Sequence, residues 1–409
     1  MPSLAIFFRV HQPFRLRKFS SKDIDVCHNY RDEVAEAAIM NRVTDECYLP
    51  ANALLLSLMK QFEGRLRFSF SISGCTLEMM ADYRPDALES FRQLVATGCV
   101  EILAEPYFHS LSYLYSPEEF ERQVFLHMDR VDALLGIRPE FLRNTELIHD
   151  NQLATLVSGM GMKGLICEGV QRILNGRSPN RVYAAPGAGD FPILLRNVEL
   201  SDDIAFRFGD ERWNEHPLTA AKFAEWIHRH PAETETIQLL LDYETFGVHK
   251  RKDSGIFDLL AELPAAVMAN PAWTFQTPSE IVTHLYPSGL YDVKRTISWD
   301  DKSRDNCVTC EDAKQNNSLN KIYSLAKKVR DSRDEELIHT WGVLQLADHF
   351  YYWNQNSGQD GCKYPNPFNT IEDAFSNYSN ILTDFEIQLI RAELGKSKFQ
   401  HFQRPFVLF

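Results

Sequence analysis

No run of the sequence approaches the roughly 20 consecutive apolar residues that a membrane-spanning helix needs, so no membrane partner is expected. Positive charge is in deficit. The 43 Lys and Arg stand against 56 Asp and Glu, a net charge of -13, and a surface of that sign repels phosphate backbones. A nucleic-acid partner is therefore not expected either. The opening MPSLAIFFRVHQPF lacks the basic region of a signal peptide, and its apolar stretch is broken by Arg9 and stops at His11, so it reads as a strand. Cysteine is sparse: eight residues scattered along 409 suit reduced thiols in the cytoplasm. Cys307 and Cys310 form a lone C-x-x-C without the second ligand pair that a zinc site requires. Repeats, low-complexity tracts and long linkers are missing too. With 44% hydrophobic and 24% charged residues, the chain is neither disordered nor fibrous.

What is present is alternation. Short apolar runs suited to strands occur at 4–10, 66–73, 99–103, 140–145, 164–167, 204–208, 236–242 and 273–276. Stretches of helical period lie between several of them, at 32–62, 76–97, 117–135 and 220–228. Strand and helix in repeated alternation imply a parallel sheet. Most of these strands are apolar on both faces, as expected of a sheet covered by helices. Seven or eight units over about 280 residues fit a (β/α) barrel better than an open doubly wound sheet. The segment 177–200, rich in Gly, Pro and Asn, reads as an irregular excursion at the barrel mouth. Beyond about residue 285 the chain turns polar, and helical patterns follow at 316–330, 335–352 and 370–394. The expected division is a catalytic barrel over 1–285 and a helical C-terminal region over 286–409.

Active sites of parallel barrels sit where strands end at the C-terminal face. Strand one ends in His11-Gln12-Pro13. The run at 99–103 carries Glu101 and is followed by Glu105 and His109. The fourth run ends in Arg143-Asn144-Thr145-Glu146, and a late one in Asp242-Tyr243-Glu244, with His249 beyond. Singly, each has an ordinary explanation: a satisfied histidine, a solvated or ion-paired carboxylate, a helix cap. Together they put carboxylates and histidines on one rim. Two carboxylates in a cleft poor in water can cleave a glycosidic bond, one as nucleophile or base and the other as proton donor. The same cluster could instead hold a metal ion.

These segments resemble glycoside hydrolase family 57, retaining α-glucan-active enzymes with an incomplete (β/α)7 barrel and a helical segment behind it. Five short regions carry the resemblance: His11-Gln12-Pro13, Gly98-Cys99-Val100-Glu101-Ile102-Leu103, Asn144-Thr145-Glu146, Asp242-Tyr243-Glu244-Thr245-Phe246-Gly247, and 346–353, which includes Asp348, His349 and Trp353. The α-amylase-type members are the most similar. The resemblance implies Glu146 as nucleophile, Asp242 as general acid/base, and His11, Glu101, His109, Glu244, Asp348 and His349 as residues lining the sugar site. The helical region would then complete the active site. Two features depart from the pattern. Arg143 stands where some relatives place Trp, and the segment beginning with Trp299 and Asp305 runs into 307–312 where an aromatic-bearing stretch is usual.

The expectation is a cytoplasmic, retaining α-amylase-like hydrolase of α-1,4-glucosidic bonds, acting on α-glucan or maltooligosaccharide. Two carboxylates supply both nucleophile and proton, so neither metal nor cofactor is expected. The alternatives are a 4-α-glucanotransferase on the same residues and a non-catalytic glucan-binding homologue. A metal-dependent deacetylase or α-mannosidase would need a compact His/Asp cluster, and strand one offers a single His with no neighbouring acid.

Overall fold

The computed structural model describes residues 1–231, 233–299, 313–352 and 367–402. The chain forms two compact units. The first comprises Met1–Gln12, Ala37–Tyr107 and Glu121–Val308; the second comprises Pro13–Glu36, Phe108–Phe120 and Thr309–Phe409.

Among the described residues the first unit holds nine strands: β1 (Ser3–Val10), β2 (Phe68–Ile72), β3 (Val100–Leu103), β4 (Phe141–Arg143), β5 (Gly164–Glu168), β6 (Val182–Ala184), β7 (Pro192–Arg196), β8 (Thr236–Asp242) and β9 (Thr274–Phe275). Seven of them run parallel in the order β3-β2-β1-β8-β7-β5-β4. A parallel bridge from Ala104 to Leu142 links the two ends of that path, giving a nearly closed seven-stranded parallel barrel. The seam between β7 and β8 is thin, with the single register pair Arg196–Gln238. The short β9 adds to the start of β1, and β6 lies antiparallel on β7.

Side chains alternate across each strand. Phe7 of β1 and Leu240 of β8 enter one apolar cluster with Leu103, Phe141, Ile166, Leu194 and Ile281. Phe8, one residue on, packs instead among Phe68, Phe70 and Tyr243, with ring centroids 4.9–5.9 Å away. Residues of the Phe7 parity therefore share one face with Leu240. Two positions further along, that same face presents Arg9 on β1 and Asp242 on β8, which are register partners.

Two expectations need correction. The segment 204–208 is not a strand: it is a wide helical turn (Asp203–Arg207) continuing the helix Val198–Asp202. Strand alternation would put positions 204, 206 and 208 on one face. Ile204 and Phe208 are indeed buried, but Phe206 is 49% exposed, so the burial follows the four-residue spacing of a helix. Conversely, 177–200 is no mere excursion, because it supplies β7, one of the seven barrel strands, and β6 beside it. The stretch 32–62 is helical from Glu33 to Gln61, with a wide turn at Thr44–Tyr48, and 76–97 lies in the helices Gly74–Tyr83 and Pro85–Ala96.

The second unit is mostly helical, with helices Ala313–Ser324, Ala326–Ser332, Glu335–Val343, Ala347–Tyr351 and Ile371–Phe402. Trp341 is buried and donates to Ile322 O at 2.8 Å, and Tyr378 donates to Leu344 O at 2.6 Å. Buried Asp384 ties the segment Pro13–Glu36 to the last helix. It accepts from the Tyr30 hydroxyl at 2.6 Å and the Asp25 amide at 2.5 Å, and lies 2.9 Å from His28 Nδ1.

Candidate active site

The strand β4 ends at Arg143, and the chain turns at once. Asn144 caps the turn by accepting from the Thr145 amide at 2.8 Å, and its own amide group donates to Ile148 O at 3.0 Å. Inside this turn Glu146 is left-handed, with φ 52° and ψ 24°. That conformation costs a residue with a side chain about 1–2 kcal/mol. Trp299 holds it: its backbone N–H donates to Glu146 O at 3.0 Å, and its indole Nε1–H donates to the Glu146 carboxylate. A strained, tightly held carboxylate at a strand end is a common mark of function.

Asp242 is the last residue of β8. Arg9 joins it to Glu146. Nη1 of Arg9 donates to Asp242 Oδ1 at 3.2 Å, and Nη2 lies 3.7 Å from Glu146 Oε1. One guanidinium thus touches both candidate carboxylates, and all three side chains are largely shielded from water.

Beyond Asp242 the strand gives way to a turn, Tyr243–Thr245. Glu244 accepts from the Tyr48 hydroxyl at 2.6 Å and from Gln12 Nε2 at 3.3 Å. Burial pushes its carboxyl up to about 7; the Tyr48 bond opposes this and the Asp242 charge adds to it. Gly247 permits the loop to close against the turn that carries Tyr48. Its φ is +114°, and a Cβ there would fall 1.9 Å from Glu46 O.

His11 lies at the end of β1, fully buried, with Nδ1 2.7 Å from Ser73 Oγ. Ser73 in turn meets Thr76 Oγ1 at 2.9 Å, and Thr76 Oγ1 accepts from the Gln12 amide at 2.7 Å. This chain of contacts links His11 through Gln12 to Glu244.

A second buried ion pair lies at the ends of β3 and β4. Arg143 Nη1 is 3.6 Å from Glu105 Oε2, and Ser71 donates to Glu105 Oε1 at 2.8 Å. His127 sits behind it: Nδ1 accepts from the Glu105 amide at 3.4 Å, so Nε2 carries the proton and donates to Ile72 O at 2.7 Å. Burial lowers the pKa of His127 and favours this neutral form. On β7, Arg196 is matched by Glu168 at 2.9 Å and Asp202 at 2.7 Å.

The expected site residues thus fall into groups. Glu146 and Asp242 come together on Arg9, with Glu244 and His11 adjoining. Glu101 does not join them. Its carboxylate accepts from the Ser279 amide at 3.0 Å and the Ser279 hydroxyl at 2.6 Å, at the start of the helix Pro278–His284. Burial raises its pKa and those two bonds lower it. His109, Asp348 and His349 belong to the second unit. There the Ala347 amide donates to His109 O at 3.1 Å, and His349 Nε2 donates to Val343 O at 3.0 Å. Burial lowers the pKa of His349 to about 4, so it is neutral at physiological pH. The Cys307/Cys310 pair, Asp305, the stretch 307–312 and Trp353 lie outside the described residues.

The sequence profile of glycosyl hydrolase family 57 matches residues 5–294. A protein of Methanocaldococcus jannaschii named "Putative alpha-amylase" is 36% identical over 406 residues, covering 96% of this chain and 85% of that protein. The chain belongs to glycosyl hydrolase family 57. Its fold is shared with the α-amylase AmyC from Thermotoga maritima, at 13% identity and TM-score 0.65, over 96% of this chain and 93% of that one. It is shared as well with a 4-α-glucanotransferase from Thermococcus litoralis, at 16% identity and TM-score 0.66, over 85% of this chain. The present chain spans 56% of that glucanotransferase. Within the family frame, Arg9 and Trp299 are the residues that strand and motif reading alone did not single out for the site. The signal for Arg9 was there: a lone charge inside an otherwise apolar strand.

Proposed function

We propose that this family member is a retaining α-glucan hydrolase of α-amylase type, with Glu146 as nucleophile and Asp242 as general acid/base. The observation that carries the reading is the Arg9 guanidinium touching both carboxylates at the ends of β4 and β8. The 36% identity to a protein named as an α-amylase supports the substrate class.

In the first step Glu146 attacks the anomeric carbon while Asp242 gives its proton to the leaving glycosidic oxygen. The C–O bond to the departing sugar breaks, and a β-glycosyl ester of Glu146 forms. In the second, Asp242, now a carboxylate, takes a proton from water as the water oxygen attacks the same carbon. The ester bond breaks and the Glu146 carboxylate returns, with the α configuration kept. The Trp299 N–H and the Arg9 charge stabilise the ionised nucleophile. His11 and Glu244 line the donor-sugar site in this reading.

Among the described residues, no helix is long and apolar enough to cross a membrane. The five cysteines among the described residues are free thiols, which supports a reducing, cytoplasmic setting. The test is incubation with maltooligosaccharides and starch, with products resolved by length. Shorter glucans alone support hydrolysis. Products longer than the substrate would favour the 4-α-glucanotransferase reading. No change in either substrate would favour a non-catalytic glucan-binding protein.

A further inference from the structure

One guanidinium, that of Arg9, contacts both candidate carboxylates. Two guanidinium groups, Arg9 and Arg143, face four carboxyl groups: Glu105, Glu146, Asp242 and Glu244. Arg143 is taken up by Glu105. Arg9 touches both Glu146 and Asp242, and its charge also bears on Glu244. Among the described neighbours, His127 is neutral, Tyr48 is a hydroxyl donor and Trp299 an indole donor. Arg196 is occupied by Glu168 and Asp202. A buried cluster of this kind strongly disfavours net charge. A cation in contact with both carboxylates favours a state in which one of the pair is ionised and the other protonated.

We infer that Arg9 is the positioning residue that couples the ionisation of the two catalytic carboxylates, serving Glu146 before glycosyl transfer and Asp242 after it. This rests on the proposed retaining reaction. In the free enzyme Arg9 balances the Glu146 carboxylate, and Asp242 keeps its proton as the acid. When the sugar is transferred, the Glu146 negative charge disappears into a neutral ester. The Asp242 proton leaves with the departing oxygen, and Asp242 becomes the carboxylate. One negative charge faces Arg9 at both stages, so the buried cluster keeps its total charge through the cycle. Arg9 can do this without moving far, because its two Nη groups already contact one carboxylate each.

The test is the pH profile of kcat/KM on α-glucosyl fluoride and on a maltooligosaccharide. The acidic limb reports ionisation of Glu146 on both substrates; the basic limb is read on the maltooligosaccharide, whose leaving oxygen needs the Asp242 proton, and reports its deprotonation. An adjacent Arg lowers a carboxyl pKa by about 1–3 units, so Arg9→Gln should move both limbs upward by about one to two pH units. On the acidic limb that is a loss of about 10- to 100-fold at fixed pH. The glycosyl-enzyme should accumulate in Arg9→Gln, and added azide, which needs no base, should speed its breakdown. Arg9→Lys keeps the charge, and its limbs should stay within about half a pH unit of wild type while turnover falls. A folded Arg9→Gln with unmoved limbs overturns the inference. So does Arg9→Lys shifting by more than about one unit, a result that stands even if the Gln variant does not fold. A wild type inactive on both substrates would overturn the proposed function and this inference together. An active wild type with unmoved limbs in Arg9→Gln would overturn the inference alone.

Discussion

The buried carboxyl of Glu244 should make the folded protein lose stability as the pH rises toward neutrality. An ordinary Glu loses its proton near 4.5, whereas burial pushes Glu244 up to about 7. Between those values the folded state holds this proton and the unfolded state does not. The stabilising contribution is thus fully present below about 4.5 and is lost as the pH rises through about 7. At 1.36 kcal/mol per unit, the rise from 4.5 to about 7 corresponds to about 3 kcal/mol. Glu244→Gln cannot ionise, yet it keeps an oxygen to accept the Tyr48 hydroxyl and fills nearly the same volume. The variant should therefore lack this part of the slope. Urea unfolding followed by tryptophan fluorescence, at about pH 4.5 and about pH 8, measures it. The unfolding free energy of the variant relative to wild type should move by about 3 kcal/mol in the variant's favour between the two conditions. An unchanged difference would refute the reasoning and mean that Glu244 titrates in the fold as it does in the unfolded chain.

Trp299→Phe removes the indole donor from the Glu146 carboxylate. A hydrogen bond to a charged group contributes about 1.5–3 kcal/mol, so kcat/KM should fall by roughly 10- to 100-fold, with the acidic limb of its pH profile moved upward. Glu101→Ala strips Ser279 of its acceptor at the start of the helix Pro278–His284. It should cost about 1–2 kcal/mol in thermal unfolding while leaving kcat/KM within about two-fold of wild type. A collapse of activity without loss of stability would instead put Glu101 in the sugar site.

Much of the barrel was legible because its central strands are apolar on both faces. The runs at 4–10, 99–103 and 236–242 match β1, β3 and β8 to within one residue at either end. The strand β7 was hidden by Pro and Gly on its approach, and by a sheet seam that pairs it with β8 at one register position. The 204–208 error has the opposite cause. Alternating apolar residues imitate a strand, and only the exposure of Phe206 shows that tertiary packing selected a helical turn. In the candidate site, Glu146 and Asp242 drew notice because Asp242 ends β8 and Glu146 follows the end of β4 by three residues. Spacing says nothing of what a side chain meets, so it could not separate Glu244, aimed at Tyr48 and Gln12, from Glu101, committed to a helix start. Arg9 escaped for the same reason. Its partners lie more than 130 positions away in sequence, and only barrel closure brings them to it.

The central claim is that Glu146 carries the sugar and Asp242 moves the proton. The most direct measurement is mass spectrometry of peptides from Asp242→Asn after exposure to α-glucosyl fluoride. Fluoride leaves without a proton, so the first step should proceed, and the second should stall because water then lacks its base. The account predicts a peptide containing Glu146 that carries one glucosyl residue, and no such peptide in Glu146→Gln. If wild type hydrolyses the fluoride with retention and Asp242→Asn yields no glucosylated Glu146 peptide, the assignment of the two carboxylates is wrong.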